Sequence, residues 1–255
     1  MKIACLQLEV KLDCPEENFA HVIEEIEKAA LEKPDVIVLP ETWNTGFLPK
    51  EHLPNVCDRD GERVKREIGA LAAKHNVNIV AGSVSNLRDG KAYNTAFIFD
   101  RQGNCIASYD KIHLFTHMHE EDYYSAGDHL CRFELDGVKC GIIICYDIRF
   151  PELARSLAVA GMDVMFVVCQ WPKVRDNHLK SLIYARAVEN QMFVVCCNSI
   201  GKYYDGFSAV IDPWGEPVAQ AGDQEQLLLA ECNLENVGRA RSSIPVFQDR
   251  RPDLY

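Results

Sequence analysis

Three residues of this 255-residue sequence have side chains that could carry out covalent chemistry together. Cys145 supplies a thiol, Glu41 a carboxylate and Lys111 an ammonium group. A thiolate is a strong nucleophile, a carboxylate can remove the thiol proton, and a fixed cation can stabilise the charge that develops on a carbonyl oxygen. The set therefore predicts nucleophilic catalysis by a cysteine, provided that the fold brings the three residues together.

The sequence around Cys145 predicts a strand, a tight turn and a helix. The apolar segment 141–144 leads directly into Cys145, and a helix is expected from Pro151, with Glu152 in its first turn. We expect the helix dipole and a nearby ammonium group to favour the thiolate. The alternative is a structural role, because most of the eleven cysteines lie in apolar runs, where cysteine behaves as a small buried hydrophobe.

Glu41 and Lys111 also follow predicted strands. Glu41 directly follows the apolar run VIVLP at 36–40, and ligand sites of α/β sheets form at the carboxyl ends of strands. Lys111 follows the segment 105–110 in an aromatic and apolar stretch, so partial burial beside an anion is expected. The alternatives are a helix-capping or surface glutamate and an exposed lysine. Because Cys145 follows a strand too, all three residues can meet at one edge of a sheet.

Alternating strand and helix patterns predict a mixed α/β fold. Strands that are apolar on both faces indicate sheets covered on each side. No repeat or linker divides the chain, so we expect one domain over residues 1–255, with 237–255 as a tail that packs on the body or on a partner subunit. The predicted strands are 3–8, 36–39, 79–84, 96–99, 105–110, 141–145, 164–168, 193–198, 208–211 and 227–231, and the predicted helices are 16–33, 63–76, 151–160 and 176–191.

Composition argues against several classes of protein. The net charge of −11 disfavours nucleic-acid and membrane partners, which need concentrated Lys and Arg. Segment 1–10 reads as a strand rather than a signal peptide, and no apolar run reaches the roughly 18 residues of a membrane span. We therefore expect a cytoplasmic protein with reduced thiols. No CxxC pair is present, and four histidines read as surface or structural residues, so no metal is predicted; they are His113, His117, His119 and His129.

Three motifs together resemble the signature segments of the carbon–nitrogen hydrolase, or nitrilase, superfamily. They are PETW with Glu41, YDKIHLF with Lys111 and CYDIRFPE with Cys145. Their order and spacing also resemble that superfamily, and the similarity extends over nearly the whole chain. Within the superfamily the sequence resembles the ω-amidase group, on segments 213–222 (PWGEPVAQAG) and 244–255 (IPVFQDRRPDLY).

The resemblance implies a four-layer α-β-β-α sandwich that assembles as a homodimer across a helical face. It implies that Glu41 is the general base, that Lys111 stabilises the oxyanion and that Cys145 is the nucleophile. A second glutamate is also expected. Glu120 matches the family position, and its neighbour Glu121 is the alternative. The resemblance implies no cofactor.

The expected reaction is hydrolysis of the terminal amide of a small carboxylic acid through a cysteinyl thioester. The ω-amidase resemblance implies substrates such as 2-oxoglutaramate and 2-oxosuccinamate, which give a 2-oxo dicarboxylate and ammonia. We expect the backbone N–H of Tyr146 to help hold the oxyanion. The rival interpretations are an N-carbamoyl or ureido-acid hydrolase, an aliphatic amidase, a nitrilase and a non-catalytic thiol-rich binding module.

A substrate carboxylate needs a cation in the site. Candidates near predicted strand ends are Arg149, Lys173 and Arg175. Arg149 has an alternative role as the ion-pair partner of Glu152 or Asp147. Three aromatic residues are expected either to wall the substrate pocket or to pack in the core, namely Tyr124, Trp43 and Trp171.

Overall fold

The computed structural model describes residues 1–254, which form two large β-sheets flanked by helices. In chain order the strands are β1 (Lys2–Gln7), β2 (Val36–Val38), β3 (Asp58–Arg59), β4 (Asn78–Arg88), β5 (Lys91–Phe99), β6 (Cys105–Asp110), β7 (Cys131–Leu135), β8 (Val138–Ile144), β9 (Val164–Cys169), β10 (Phe193–Asn198), β11 (Ile200–Gly201), β12 (Tyr204–Asp205), β13 (Ala209–Ile211), β14 (Pro217–Gln220) and β15 (Gln226–Glu231). The helices are α1 (Pro15–Ala30), α2 (Leu53–Val56), α3 (Glu62–His75), α4 (Pro151–Val159), α5 (Asp176–Asn190), α6 (Glu235–Ser243) and α7 (Val246–Asp249).

Both large sheets have parallel strands at their centres. The first sheet has the order β15-β1-β2-β4-β5-β6, with β3 beside β4, and the second has the order β14-β13-β10-β9-β8-β7. Strands β1, β2 and β4 are parallel to one another, as are β8, β9 and β10. Such strands are buried on both faces, which explains their nearly uninterrupted apolar composition. Their carboxyl ends lie at one edge of each sheet.

Hydrophobic packing stacks these elements in four layers. Helices α1 and α3 cover the outer face of the first sheet through a cluster that includes Phe19, Ile26 and Ile68. The inner faces of the two sheets share another cluster, to which Val38 and Val167 belong, and it continues to α4 and α5 beyond the second sheet. Each fully buried large apolar side chain contributes about 1.5–3 kcal/mol. The α-β-β-α sandwich implied by the family resemblance is confirmed.

The pattern of the sequence does not predict the edge strands β7 and β14. Most side chains of β14 are exposed, and those of β7 alternate between exposed and buried, so their composition carries little signal. The N-terminal segment does form a strand, β1, which pairs with both β15 and β2. Within residues 1–254, no helix is long and apolar enough to cross a membrane.

The segment 237–255, expected as a packing tail, contains most of α6 and all of α7. Val237 and Ala240 of α6 are buried. The side-chain amide of Gln191 donates hydrogen bonds to the carbonyl oxygens of Ala240 at 3.1 Å and Ile244 at 2.8 Å. The tail therefore packs on the body at this point, while Tyr255 lies outside the described residues. That residues 1–255 form a single domain stays a prediction.

Gly82 allows strand β4 to approach the backbone at Pro40, just before Glu41. It lies in β4 with a φ of +55°, at an irregularity of the β4–β5 pairing between Val80 and Ser83. A Cβ atom on Gly82 would lie 2.0 Å from the carbonyl oxygen of Pro40. The N–H of Ser83 donates to that same oxygen at 3.1 Å. The missing side chain therefore fixes the path of the backbone just before Glu41.

Replacing Gly82 with alanine should destabilise the protein far more than the same change at Gly90. Gly90 also has a positive φ of +74°, but an added Cβ there meets no atom within 4 Å. The Gly90→Ala variant should lose about 1–2 kcal/mol from its left-handed backbone alone. The Gly82→Ala variant should lose at least about 3 kcal/mol, because the methyl group also collides with backbone. Denaturant unfolding measures both losses, and equal values would contradict the proposed close approach.

Candidate active site

Cys145 lies at a strained turn after β8. That strand ends at Ile144, Cys145 begins a 3₁₀ turn that runs to Arg149, and α4 starts at Pro151. The φ of Cys145 is +46°, a left-handed conformation that residues other than glycine seldom adopt and that clusters at functional sites. The structure thus contains the predicted strand, turn and helix, with the thiol at the carboxyl end of the strand.

Buried Asp147 holds this turn against the segment that carries Lys111. Its Oδ2 accepts hydrogen bonds from the N–H of Ile144 at 3.1 Å and from the hydroxyl of Tyr109 at 2.7 Å. Its Oδ1 accepts a hydrogen bond from the backbone N–H of His113 at 2.8 Å and lies 2.9 Å from the Nδ1 of that residue. Asp147 therefore ties the end of β8 to residues on both sides of Lys111.

Glu41 is fully buried, and three hydrogen-bond donors hold its carboxylate. Oε1 accepts hydrogen bonds from Asn94 Nδ2 and from Lys111 Nζ, each at 2.9 Å. Oε2 accepts a hydrogen bond from the backbone N–H of Gln170 at 2.8 Å. The side-chain amide of Gln170 also donates to the carbonyl oxygen of Glu41 at 2.6 Å. Because Gln170 directly follows β9, these bonds join the two sheets at their carboxyl ends.

Lys111 is buried between two carboxylates. Its Nζ donates to Glu41 Oε1 at 2.9 Å and to the two oxygens of Glu120 at 3.0 and 2.9 Å. Glu120 is itself fully buried and accepts a further hydrogen bond from the N–H of Phe115 at 2.6 Å. Glu121 is exposed, so the structure brings Glu120 and not its neighbour to the lysine. Charged groups are seldom buried unless they are paired in this way.

The charges of this cluster influence one another. Burial by itself lowers the pKa of Lys111, but Glu120 and Glu41 outweigh it and hold that pKa well above its ordinary value. Burial raises the pKa of Glu120; Lys111 opposes this effect and Glu41 adds to it. Two buried carboxylates thus share one ammonium group.

Burial also raises the pKa of the Cys145 thiol. A hydrogen bond with Cys169 and the charge of Lys111 oppose this rise, whereas the charge of Glu41 adds to it. Burial thus acts against the thiolate that the helix dipole and the ammonium group were expected to favour. Cys145 is only 8% exposed, and helix α4 begins six residues after it, at Pro151. A neutral thiol has to lose its proton as it reacts, which requires a base beside it.

A cavity of about 690 Å³ opens onto Cys145 and Lys111. Tyr146 lines it and is the second residue of the 3₁₀ turn, so its N–H has no partner within that turn and is available to a ligand oxygen. The size suits a small organic molecule. Much of the remaining wall is aromatic or apolar, with Phe47, Phe115, Met118, Trp171 and Tyr204.

Two guanidinium groups, those of Arg149 and Arg175, also line the cavity. Arg149 lies over the ring of Trp171, 4.6 Å from its centroid, and its Nη2 is 3.3 Å from His178 Nδ1. Burial lowers the pKa of Arg149, and the charge of Arg175 adds to this effect. Arg175 lies 5.6 Å from the ring centroid of Phe115.

The structure does not contain the ion pair of Arg149 with Glu152 or Asp147 that the sequence allowed. Asp147 accepts its hydrogen bonds from other donors, as described above. Among residues 1–254, neither Arg149 nor Arg175 has a carboxylate oxygen within ion-pair distance. Arg149 and Arg175 therefore line the cavity without anionic partners, which is an arrangement suited to an anionic ligand.

The other residues predicted for the pocket divide into two groups. Trp171 lines the cavity, with its indole N–H donating to the carbonyl oxygen of Arg175 at 2.8 Å. Trp43 and Tyr124 are not among the lining residues. The indole of Trp43 is buried in the outer cluster of the first sheet, and the hydroxyl of Tyr124 lies 2.6 Å from Ser85 Oγ, so both fill the core.

Lys173 is not among the lining residues either. Its Nζ lies 3.9 Å from the carboxylate of Asp205 on the surface, where both side chains are about half exposed. Of the three cations predicted near strand ends, only Arg149 and Arg175 face the cavity.

Asn94, Gln170 and Asp147 belong to this site, although the sequence did not single them out for it. Gln170 follows the apolar run of β9 in the same way that Glu41 follows β2, so the rule of strand ends could have found it. Asn94 lies inside β5, where a polar residue interrupts a mostly apolar strand. No local signal separates Asp147 from an ordinary turn residue.

Among residues 1–254, two clusters each contain three side chains of the kinds that bind metal ions. One consists of His21, Glu25 and Glu225, and the other of His119, Glu121 and Asp122. Neither cluster includes Glu41, Lys111 or Cys145. His113 stacks on Phe150 with ring centroids 3.5 Å apart, in a structural contact.

Comparisons with known proteins agree with this geometry. The family model described as Carbon-nitrogen hydrolase matches residues 2–242, and the chain belongs to the carbon–nitrogen hydrolase family. It is 44% identical over 257 residues to the 2-oxoglutaramate amidase of Bacillus subtilis (strain 168), a match that covers 99% of this chain and 98% of that protein. It is 29% identical to the Omega-amidase NIT2 of Homo sapiens, over 100% of this chain and 96% of that protein.

A solved structure supports the same conclusion. Saccharomyces cerevisiae Nit3, a member of branch 10 of the nitrilase superfamily, superposes with a TM-score of 0.91 at 30% identity, and the match covers 98% of this chain and 96% of that one. The predicted superfamily is thereby confirmed, and the chain is a hydrolase that acts on carbon–nitrogen bonds.

Alkylation of Cys145 should become faster as the pH rises through and above neutrality. Burial raises the pKa of this thiol, so the thiolate fraction is small at pH 7 and grows with each further unit of pH. Iodoacetamide labelling from pH 6 to 9, with Cys145 followed by peptide mass spectrometry, measures this dependence. Exposed Cys105 provides an internal control in the same samples. A Cys145 rate that is already constant below pH 7 would show a resting thiolate and contradict the prediction.

Proposed function

We propose that this protein is an amidase of the ω-amidase type, which hydrolyses the terminal amide of a small carboxylic acid through a cysteinyl thioester. The observation that carries the proposal is the meeting of a thiol, a buried ammonium group and two carboxylates beside a cavity with two unpaired guanidinium groups. Similarity to the 2-oxoglutaramate amidase of Bacillus subtilis supports 2-oxoglutaramate or 2-oxosuccinamate as substrate. The products are then a 2-oxo dicarboxylate and ammonia.

In the first half of the reaction, the Cys145 sulfur attacks the amide carbon while Glu41 takes the thiol proton. The carbonyl oxygen becomes an oxyanion, held by Lys111 Nζ and by the N–H of Tyr146. One such preorganised donor is worth about 3 kcal/mol in the transition state. Glu41 then gives its proton to the amide nitrogen, the carbon–nitrogen bond breaks, and ammonia leaves a thioester on Cys145.

Lys111 has to rearrange slightly to reach the oxyanion. All three of its N–H bonds are already used, one by Glu41 and two by Glu120. Because Glu120 accepts two of them, one can turn to the oxyanion without leaving either carboxylate unpaired. This gives Glu120 a role in orienting the lysine rather than in proton transfer.

In the second half of the reaction, water attacks the thioester carbon. Glu41 takes a proton from the water, and the carbon–sulfur bond breaks as the thiol of Cys145 is regenerated with that proton. The acid product then leaves. The same base thus serves both halves, and Lys111 holds the oxyanion each time.

Arg149 and Arg175 supply the cation that the substrate carboxylate requires. Both face the cavity without a carboxylate partner, and charge-assisted hydrogen bonds from guanidinium groups are strong and directional. An α-ammonium group, as in glutamine, would lie close to these two positive charges. The site therefore favours 2-oxo or unsubstituted acids over amino acids.

The substrates of the rival functions would interact differently with the two arginines of the cavity. An N-carbamoyl or ureido acid also carries a carboxylate, so it competes with an ω-amide for the same arginines. A simple aliphatic amide or nitrile leaves both guanidinium groups unpaired. A non-catalytic thiol-rich module gives no reason to bury Lys111 beside two carboxylates, because such burial is costly.

Ammonia release from a small panel of substrates tests the proposal. 2-Oxoglutaramate and succinamate should be hydrolysed faster than glutamine, an N-carbamoyl amino acid or a nitrile. The Cys145→Ala variant should release no ammonia, whereas the Cys105→Ala variant, which removes an exposed cysteine, should match the unmodified protein. Faster turnover of the carbamoyl compound, or activity that survives in Cys145→Ala, would overturn the proposal.

Replacing Arg149 with glutamine should weaken binding of carboxylate-bearing amides specifically. Loss of a charged hydrogen bond costs about 1.5–3 kcal/mol, so KM for succinamate should rise about 10- to 100-fold. Turnover of neutral butyramide, measured in parallel, should hardly change. The Arg239→Gln variant is a matched control, because Arg239 is exposed and pairs with Glu235. Equal losses on both substrates would show that Arg149 has no part in carboxylate recognition.

We further propose that the protein is a cytoplasmic homodimer, with residues 1–255 as one domain. Apolar side chains on α4, on α5 and before α7 are exposed and suit a helical dimer face; they are Val159, Val188 and Ile244. Sedimentation at micromolar concentration tests the assembly, and a mass near the 28.8 kDa of one chain would contradict it.

A further inference from the structure

Asn94 contacts the two charged partners of the nucleophile at the same time. It lies within β5 and is completely buried. Its Nδ2 donates to Glu41 Oε1 at 2.9 Å, and its backbone carbonyl oxygen accepts the N–H of Lys111 at 2.9 Å. The side chain of Asn94 therefore holds the carboxylate of Glu41, while its backbone holds the start of the lysine segment.

These contacts make the two oxygens of Glu41 different. Oε1 accepts hydrogen bonds from Asn94 and Lys111, whereas Oε2 accepts one from the backbone N–H of Gln170. The Cys145 thiol also interacts with the Glu41 carboxylate by a hydrogen bond. Each carboxylate oxygen offers about two lone-pair sites. Oε1 is consequently saturated, and Oε2 keeps a free site that can receive a proton.

The side-chain oxygen of Asn94 accepts no hydrogen bond from residues 1–254. Oδ1 is buried and has no hydrogen-bond partner among residues 1–254. The orientation of the amide is fixed, because a carboxylate can only accept and so the NH₂ group must face Glu41. An unpaired buried carbonyl is unfavourable. The amidase reaction itself supplies two small donors beside Glu41, namely the departing ammonia and the incoming water.

We propose that Asn94 is a positioning residue for the hydrolytic step, an inference that rests on the proposed amidase function. Its NH₂ group holds Glu41 so that Oε2 is the oxygen that exchanges protons. Its Oδ1 accepts a hydrogen bond from the ammonia or water at the thioester and so orients the attacking water. Asn94 forms no bond to the substrate carbon and acts through Glu41 and the water.

Competition between two nucleophiles for the thioester can isolate the role of Asn94 in hydrolysis. Hydroxylamine attacks the thioester to give a hydroxamate and free thiol, and water gives the acid. Hydroxylamine is the stronger nucleophile and depends less on an oriented base. Loss of Asn94 should therefore slow hydrolysis more than hydroxylaminolysis and raise the ratio of hydroxamate to acid.

The key comparison is between Asn94→Ala and Asn86→Ala. Asn86 is also a buried asparagine of the first sheet, but its side chain contacts Gly61 and Thr95 and lies outside the site. With succinamate and hydroxylamine, Asn94→Ala should lower the rate of acid formation about 10- to 100-fold. It should also raise the hydroxamate-to-acid ratio severalfold, with Asn86→Ala unchanged in this ratio. A ratio that is the same in both variants would overturn the proposal.

The Asn94→Asp variant keeps the size of the side chain and provides a second measurement if Asn94→Ala does not fold. The new carboxylate faces Glu41, and repulsion between like charges raises the pKa of one of the two. When protonated, the new carboxyl group can again donate to Glu41 Oε1. The optimum of kcat should therefore move to lower pH than in the unmodified protein, and an unchanged profile would overturn the proposal.

The same experiments give a different result if the proposed amidase function itself is wrong. If the unmodified protein forms neither ammonia nor hydroxamate from any amide in the panel, the amidase proposal itself fails. If the unmodified protein is active and the Asn94 variants keep its ratio and its pH profile, only the role of Asn94 is refuted.

Discussion

Lys111 carries its charge in the interior of the protein, where an unpaired ammonium group would cost several kilocalories per mole. It is stable there because Glu41 and Glu120 approach it within 3.0 Å. These carboxylates come from the end of β2 and from a turn after β6, so the ion cluster forms only when both segments are in place. Gln170 extends the same cluster to the second sheet. The interior charges thus require the two sheets to meet at their carboxyl ends.

Beside this ion cluster, the backbone around Cys145 is held in a fixed conformation. Cys145 is held in a left-handed conformation, and Asp147 fixes the turn that follows it. Burial disfavours the thiolate of Cys145, so in the proposed mechanism the thiol loses its proton only when substrate and base are both in place. In a water-poor site, the oriented N–H groups and the ammonium of Lys111 act more strongly on that charge than they would in solvent.

The lining of the cavity also shows how a protein with a net charge of −11 could receive the proposed anionic substrate. Exposed charges act over a Debye length of about 10 Å, so the acidic surface matters less inside the cavity than its own lining does. Arg149 and Arg175 supply a local positive field there, supported by aromatic rings rather than by carboxylates. A cation that was already paired would offer little to a substrate carboxylate.

The amino-acid sequence by itself determined most of the regular elements and indicated the residues of the candidate site. Apolar runs and helical spacing predict most strands and helices to within a few residues, and strand ends predict Glu41, Lys111 and Cys145. These signals are local, because each depends on neighbours a few positions away. Edge strand β14 escaped prediction for the same reason, since its side chains face solvent and follow no pattern.

Only the tertiary structure decided which side chains meet. Glu41 and Gln170 are 129 positions apart in the sequence, and no local pattern connects them. The choice of Glu120 over Glu121, the core positions of Trp43 and Tyr124, and the unpaired state of Arg149 all depend on such distant contacts. The same holds for the protonation of Cys145. Its neighbours in sequence suggested a thiolate, but burial is a property of the whole fold, and here burial outweighs the nearby charge of Lys111.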